Sequence, residues 1–166
     1  MRYAIVYSSQ TGNTALLARR IKAALVPHGC VCCTETGAKI PEADLLFIGF
    51  WTDKGTCDVR TASFLARLSS RRVFLFGTAG FGGNDAYFQQ ILSRVRAQIP
   101  ETNEVVGAFM CQGRMPSSVR ARYEKQLASS PTPEPYKALI ENYDLARAHP
   151  DEEDLRRLEA AVCPFC

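Results

Sequence analysis

No apolar run in this sequence is long enough to cross a bilayer. The longest, Leu45 to Trp51 and Val73 to Phe76, fall far short of the ~20 residues a spanning helix needs. Nor does the N-terminus read as a secretory leader, because Tyr3 to Tyr7 is shorter than a signal h-region and runs straight into Ser8, Ser9 and Gln10. The expected location is the cytoplasm, without a membrane partner. Histidine is scarce: only His28 and His149 occur, neither with a metal-spaced partner, so no metal site is expected. Charge of one sign is not in surplus. Twenty Lys and Arg against seventeen Asp and Glu give +3, and the only adjacent cations are Arg19/Arg20, Arg71/Arg72 and Arg156/Arg157. Phosphate-backbone binding needs several cations on one surface, so no nucleic-acid partner is expected. Gly-Lys-Ser, Gly-Lys-Thr and G-x-G-x-x-G are absent too. That sets aside nucleotide triphosphatases and dinucleotide-binding Rossmann domains.

What is present suits one compact domain. The chain has 166 residues, 46% hydrophobic and 22% charged, within the roughly 100–200 residues usual for a domain. A single domain over residues 1–166 is expected, with a helical extension over about 136–163. The seven cysteines are expected as free, reduced thiols. Cys163-Pro164-Phe165-Cys166 has the spacing of a redox pair, but it closes a helix instead of opening one, so no helix dipole activates it and a frayed, incidental pair is expected.

Strand and helix signals alternate along the chain. Arg2 to Tyr7 is a β-rich run, followed by polar Ser8 to Gly12 and a helix over Asn13 to Val26, in which Leu17, Ile21, Ala24 and Leu25 recur at helical spacing. A turn at Pro27-His28-Gly29 with a solvated His28 leads to a strand at Cys30 to Thr34. Asp44 to Phe50 and Val73 to Phe76 are almost continuously apolar, as in strands buried on both faces of a parallel sheet. Asp58 to Leu68 predicts a helix capped by Asp58. Phe88, Ile91, Leu92, Val95 and Ile99 form the stripe of another, with Asn84 or Asp85 as its start and Pro100 as its stop. A fifth strand at Val105 to Met110 and helices at Ser117 to Ala128, around Leu139 to Tyr143, and from Pro150 complete the series. The acidic Asp151 to Asp154 suits the first turn of the last helix. The fold class is α/β: an open five-stranded parallel sheet with right-handed crossovers and helices on both faces.

In such sheets ligands bind beyond the carboxyl ends of the strands. The loop after the first strand, Ser8-Ser9-Gln10-Thr11-Gly12-Asn13-Thr14, is dense in hydroxyls and amides just before a helix N-terminus. Such a turn suits an anion, with N–H groups, Ser9, Thr11 and Thr14 hydroxyls as donors and Gly12 for close approach. The same residues also suit plain helix capping. No Lys or Arg lies in the loop, which fits a buried monophosphate better than a triphosphate.

Ile5-Val6-Tyr7 followed by Ser9-Gln10-Thr11-Gly12-Asn13-Thr14 resembles the phosphate loop of flavodoxins, T/S-x-T-G-x-T after the first strand. The resemblance implies a flavodoxin-like strand order 2-1-3-4-5 and FMN bound across three loops. The second loop would contribute Trp51, Thr52, Asp53, Lys54 and Gly55, with Trp51 over one face of the ring or as a packing anchor, and Gly55 as a peptide able to turn its carbonyl toward the reduced ring. Lys54 there is either a cation near the ring or an exposed loop lysine. The third would contribute Thr78, Ala79, Gly80, Phe81, Gly82 and Gly83, with Phe81 over the other ring face and Tyr87 within reach. More narrowly, segments 49–58, 77–83 and 149–155 are similar to flavodoxin-like proteins that accompany bilirubin reductase in gut bacteria. The implied role is an electron carrier between a reductase and an acceptor enzyme, the alternative being an NAD(P)H-dependent FMN reductase acting on a quinone or other small acceptor. One departure stands out: the family is typically acidic and docks basic partners, whereas this chain is slightly basic.

Overall fold

The structure, a computed structural model, describes residues 1–25 and 29–166. Val26, Pro27 and His28, and with them the expected end of the first helix and most of the turn after it, lie outside the described residues. Strand and helix alternate except where β2, β3 and β4 follow one another and where three helices close the series: β1 Tyr3–Tyr7, α1 Asn13–Ala24, β2 Cys30–Glu35, β3 Leu45–Asp53, β4 Thr56–Cys57, α2 Val59–Leu65, β5 Arg72–Ala79, α3 Asp85–Arg96, β6 Glu104–Gln112, α4 Ser117–Ser129, α5 Glu134–Ala146 and α6 Glu152–Val162. A 3-10 turn, Cys163–Phe165, follows α6.

The sheet runs β2-β1-β3-β5-β6, all parallel, with β4 paired antiparallel to the end of β3. Leaving out that two-residue strand, the order is the expected 2-1-3-4-5. Side chains alternate across it. Tyr3, Ile5, Phe47, Phe74 and Phe109 meet Leu17 and Ile21 of α1 and Leu155, Leu158 and Val162 of α6, while Ala4, Ile48, Leu75 and Met110 meet Leu65 of α2 and Ile91, Leu92 and Val95 of α3. Two glycines make the strands fit. A Cβ on Gly49 would lie 2.4 Å from the Phe76 ring, and one on Gly77 would lie 2.5 Å from the Phe50 ring, so each bare backbone makes room for the phenylalanine of the neighbouring strand.

Several boundaries differ from the sequence reading. β3 continues past Phe50 through Trp51, Thr52 and Asp53, and β5 continues past Phe76 through Gly77, Thr78 and Ala79, because backbone pairing with β4 and β6 persists after the side chains turn polar. The helix α2 stops at Leu65 rather than Leu68, its last residues closing in 3-10-type bonds from Arg67 to Phe64 and from Leu68 to Leu65. Asp58 caps α2 as expected, accepting from the N–H groups of Arg60 and Thr61 and from the Thr61 hydroxyl. Asn84 caps α3 through the Ala86 N–H. Pro150 precedes α6 instead of opening it, and Asp151 is the cap. The expected extension resolves into two helices with different places: α5 packs on α4, whereas α6 buries Leu155, Leu158 and Val162 in the core beside α1. The segment after α6 is anchored rather than frayed, since Phe165 packs edge-on against Phe47 and Phe74 at 6.0 and 5.7 Å.

Candidate functional site

In a doubly wound sheet the strand order reverses between β1 and β3, and the crevice beyond their carboxyl ends is where helix and strand connections part. A cleft of about 500 Å³ opens there. The turn before α1 supplies Gln10, Thr11 and Asn13; the end of β3 and its turn supply Trp51, Thr52, Asp53, Lys54 and Gly55; β5 and the segment after it supply Thr78, Ala79, Gly80 and Phe81. Tyr87 of α3 lies among them, as the sequence suggested.

The turn before α1 has the geometry of an anion cradle. Gly12 sits at φ +87°, a left-handed conformation that glycine adopts without strain, and its carbonyl accepts from the Leu16 N–H. Ser9 Oγ accepts from the Ala15 N–H at 3.2 Å. The N–H groups of Asn13 and Thr14 donate to no acceptor among the described residues, leaving two donors at the positive end of a twelve-residue helix. Thr11 is exposed at the tip, its hydroxyl accepting from Asn13 Nδ2 at 2.9 Å. Thr14 departs from the expectation that its hydroxyl faces the anion. It is buried, with Oγ1 donating to the Phe50 carbonyl at 3.2 Å and lying 3.3 Å from Thr78 Oγ1, so it ties α1 to β3 and β5.

The second segment is a hairpin rather than an open loop. Lys54 at φ +49° and Gly55 at φ +79° form the two-residue turn between β3 and β4, matching the positive-φ requirement of a type I′ connection. The Gly55 carbonyl, expected to be free to turn, accepts from Arg94 Nη1 of α3 at 3.1 Å. Thr52 Oγ1 is buried without a hydrogen-bond partner among the described residues, and it sits in the cleft wall. A buried hydroxyl of this kind is matched by a water or by a ligand atom.

The third segment is held from behind. The Gly80 carbonyl accepts from Gln112 Nε2 of β6 at 2.9 Å and from Asn142 Nδ2 of α5 at 3.1 Å. Gly82 and Gly83 do not line the cleft. A Cβ on Gly82 would meet the Gln112 side chain at 2.6 Å, and Gly83 borders a separate hollow with His149 and Arg157. Ser8, Ser9, Gly12 and Thr14 do not line the cleft either: Ser8 and Thr14 are buried, Ser9 is half-buried and Gly12 is exposed at the turn. Burial pushes the Tyr87 phenol above its ordinary range, with nearby Arg94 opposing, so it stays a hydrogen-bond donor.

A fourth wall was not anticipated from sequence. Gly113, Arg114, Met115 and Pro116, after β6, and Val119, Arg122 and Tyr123 of α4 close the remaining side. The Arg114 carbonyl accepts from Asn13 Nδ2 at 2.9 Å, joining this wall to the anion turn. The signal that points to it is the rule already applied to the other loops, for this segment too leaves the carboxyl end of a strand. Near it, His149 does have spaced partners, contrary to expectation: Asp154 Oδ2 at 2.5 Å and Asp151 Oδ2 at 3.8 Å from its Nδ1.

Taken together, a donor-rich anion cradle at one end, an unmatched hydroxyl, and aromatic Trp51, Phe81, Tyr87 and Tyr123 around the middle fit a planar aromatic group with a phosphate tail. A family model for the flavodoxin domain matches residues 4–163. The flavodoxin-like domain-containing protein BilS of Clostridium symbiosum is 37% identical over 93% of this chain and 90% of its own length. Among solved structures, oxidised flavodoxin 2 from Bacillus cereus superposes with a TM-score of 0.61 at 18% identity, over 99% of this chain and 97% of that one. A Lactobacillus acidophilus flavoprotein in complex with FMN gives 0.50 at 16% identity, over 66% of this chain and 92% of its own. No helix among the described residues is long and apolar enough to cross a membrane.

Proposed function

Because the chain belongs to the flavodoxin domain family, we propose that it binds FMN in this cleft and carries electrons between a reductase and an acceptor enzyme. The observation that carries the reading is that the donor-rich turn before α1 brings Gln10, Thr11 and Asn13 to the end of an aromatic-walled cleft. The turn before α1 and Thr11 would hold the phosphate, Trp51 and Phe81 would flank the ring, and Thr52 would satisfy its hydroxyl on a ring or ribityl oxygen. FMN, when bound, supplies one- and two-electron redox chemistry; the protein supplies position, shielding from water and local charge. Arg94 fixes the Gly55 carbonyl, and the amides of Gln112 and Asn142 fix Gly80, so both ring-side turns are pre-set before a ligand arrives. The resemblance of segments 49–58, 77–83 and 149–155 to proteins that accompany bilirubin reductase supports tetrapyrrole reduction as the setting and the cytoplasm as the location.

The test is calorimetric titration with FMN and riboflavin. Thr11→Val removes a donor to a charged group, a loss of about 1.5–3 kcal/mol, which weakens FMN binding roughly 10- to 100-fold and leaves riboflavin binding near wild type. Equal losses for both ligands, or folded protein that ignores FMN, would overturn the reading. A second reading, an enzyme that takes hydride from NAD(P)H to a quinone or other small acceptor, is favoured by the extra wall from α4. Steady NADPH oxidation by the FMN-loaded protein without a partner would select it.

A further inference from the structure

Building on the electron-carrier reading, we propose that the cationic mouth of the cleft is the docking surface for a redox protein whose own face is acidic. Three elements send cations to this mouth: Lys54 from the β3–β4 turn, Arg114 from the segment after β6, and Arg122 from α4. Asp53 is the single carboxylate among the lining residues. Arg94 stands behind the turn, donating to the Gly55 carbonyl.

Arg20 is matched by Glu152 and Glu159, Arg120 by Glu124 and Asp144, and Arg157 by Asp154. Among the described residues, Lys54, Arg94, Arg114 and Arg122 have no carboxylate within ion-pair distance. Lack of an ion pair is common to many cations here, Arg2, Arg19, Arg60, Arg67, Arg71 and Arg96 included among the described residues; what sets Lys54, Arg114 and Arg122 apart is that they gather around one cleft. Arg114 adjoins the anion turn through its backbone carbonyl and so stands nearest the phosphate end of the cleft. Lys54 and Arg122 remain for a partner. Phe81, which lines the same cleft, is 39% exposed, so an apolar ring and charged side chains share this face, as in protein interfaces. Cations spread over separate elements that share a face with an exposed ring address a surface; a small anion would be met by donors converging on one point. Complementary charge of this kind acts mainly on encounter rate, and salt weakens it.

The probes are native cytochrome c, whose haem edge is ringed by lysines, and the same protein succinylated, which is acidic. The FMN-loaded chain, reduced photochemically, passes one electron to ferric haem, which becomes ferrous, and stopped flow reads the rate. At low salt the succinylated probe is expected to react about tenfold faster, with the advantage gone near 0.5 M salt, where charges several ångströms apart are screened. The double variant Lys54→Glu/Arg122→Glu is expected to reverse the preference. Comparing the same two probes on wild type and variant cancels their difference in potential. A preference for native cytochrome c at low salt, rates independent of salt, or an unchanged ratio in the variant would overturn the docking proposal alone. Failure of the chain to take up FMN in a prior titration would instead overturn the carrier reading, and this proposal with it.

Discussion

The Asp154 carboxylate accepts from Arg157 at 2.6 Å and from the Asp151 N–H at 3.0 Å, and it lies 2.5 Å from His149 Nδ1. An ionised carboxylate only accepts, so Nδ1 carries the hydrogen in this pair. Burial alone would raise the Asp154 pKa, but these hydrogen bonds outweigh it and hold the group below the ordinary carboxylate range. The folded pKa therefore lies under the unfolded one. The associated stability is present above the ordinary carboxylate pKa and is lost as pH falls from there through the folded value. Asp154→Asn is expected to cost about 2–4 kcal/mol near neutral pH. In urea melts the gap to wild type should shrink below about pH 4; a gap constant with pH would refute the assignment. The caps Asp58 and Asn84 were legible in sequence because a cap is a contact between near neighbours. The acidic run from Asp151 announced the start of α6 for the same reason. The pairing of His149 with Asp154 was not legible, because it depends on the irregular path from His149 into the helix and not on a fixed period.

The strands show where a reading by hydrophobicity stops short. Thr52, Asp53 and Thr78 end the apolar runs, yet Thr52 pairs with Cys57, Asp53 with Thr56 and Thr78 with Cys111. Backbone hydrogen bonds continue where the side-chain pattern has ended, and three cleft residues thus stand on strand ends instead of loops. The turn at Lys54 and Gly55 was missed because lysine is an uncommon residue at positive φ. The interlocking of Gly49 with Phe76 and of Gly77 with Phe50 is a further feature of paired elements, visible only once register is known. Gly77→Ala is expected to force the Phe50 ring from its place and cost about 1–3 kcal/mol. Chemical denaturation reads this directly; an unchanged midpoint would mean the ring yields freely.

The parallel sheet with helices on both faces follows from alternation of runs and from the handedness of crossovers, while the strand order, and with it the position of the cleft, came from the resemblance of the first loop to flavodoxins. The fourth wall was not legible. The helix α4 buries only Tyr123, so its apolar pattern is too weak to say which side it covers, and it lies against α5, where Arg120 reaches Asp144 at 3.2 Å. The cradle itself was legible as a run of residue types, but which hydroxyl turns inward was not, since Thr14 is claimed by the Phe50 carbonyl of a distant strand.

The position of α6 has a consequence for synthesis. Leu155, Leu158 and Val162 cover the apolar stripe of α1, more than a hundred residues earlier in the chain. While a ribosome still holds those residues in its tunnel, the side of Leu17 and Ile21 that α6 covers stays open, and α1 waits for a helix made long after it. Nascent chains stalled with α6 inside the tunnel are expected to be cut readily by protease, and those stalled after its release to resist; resistance before release would show that the sheet closes without it.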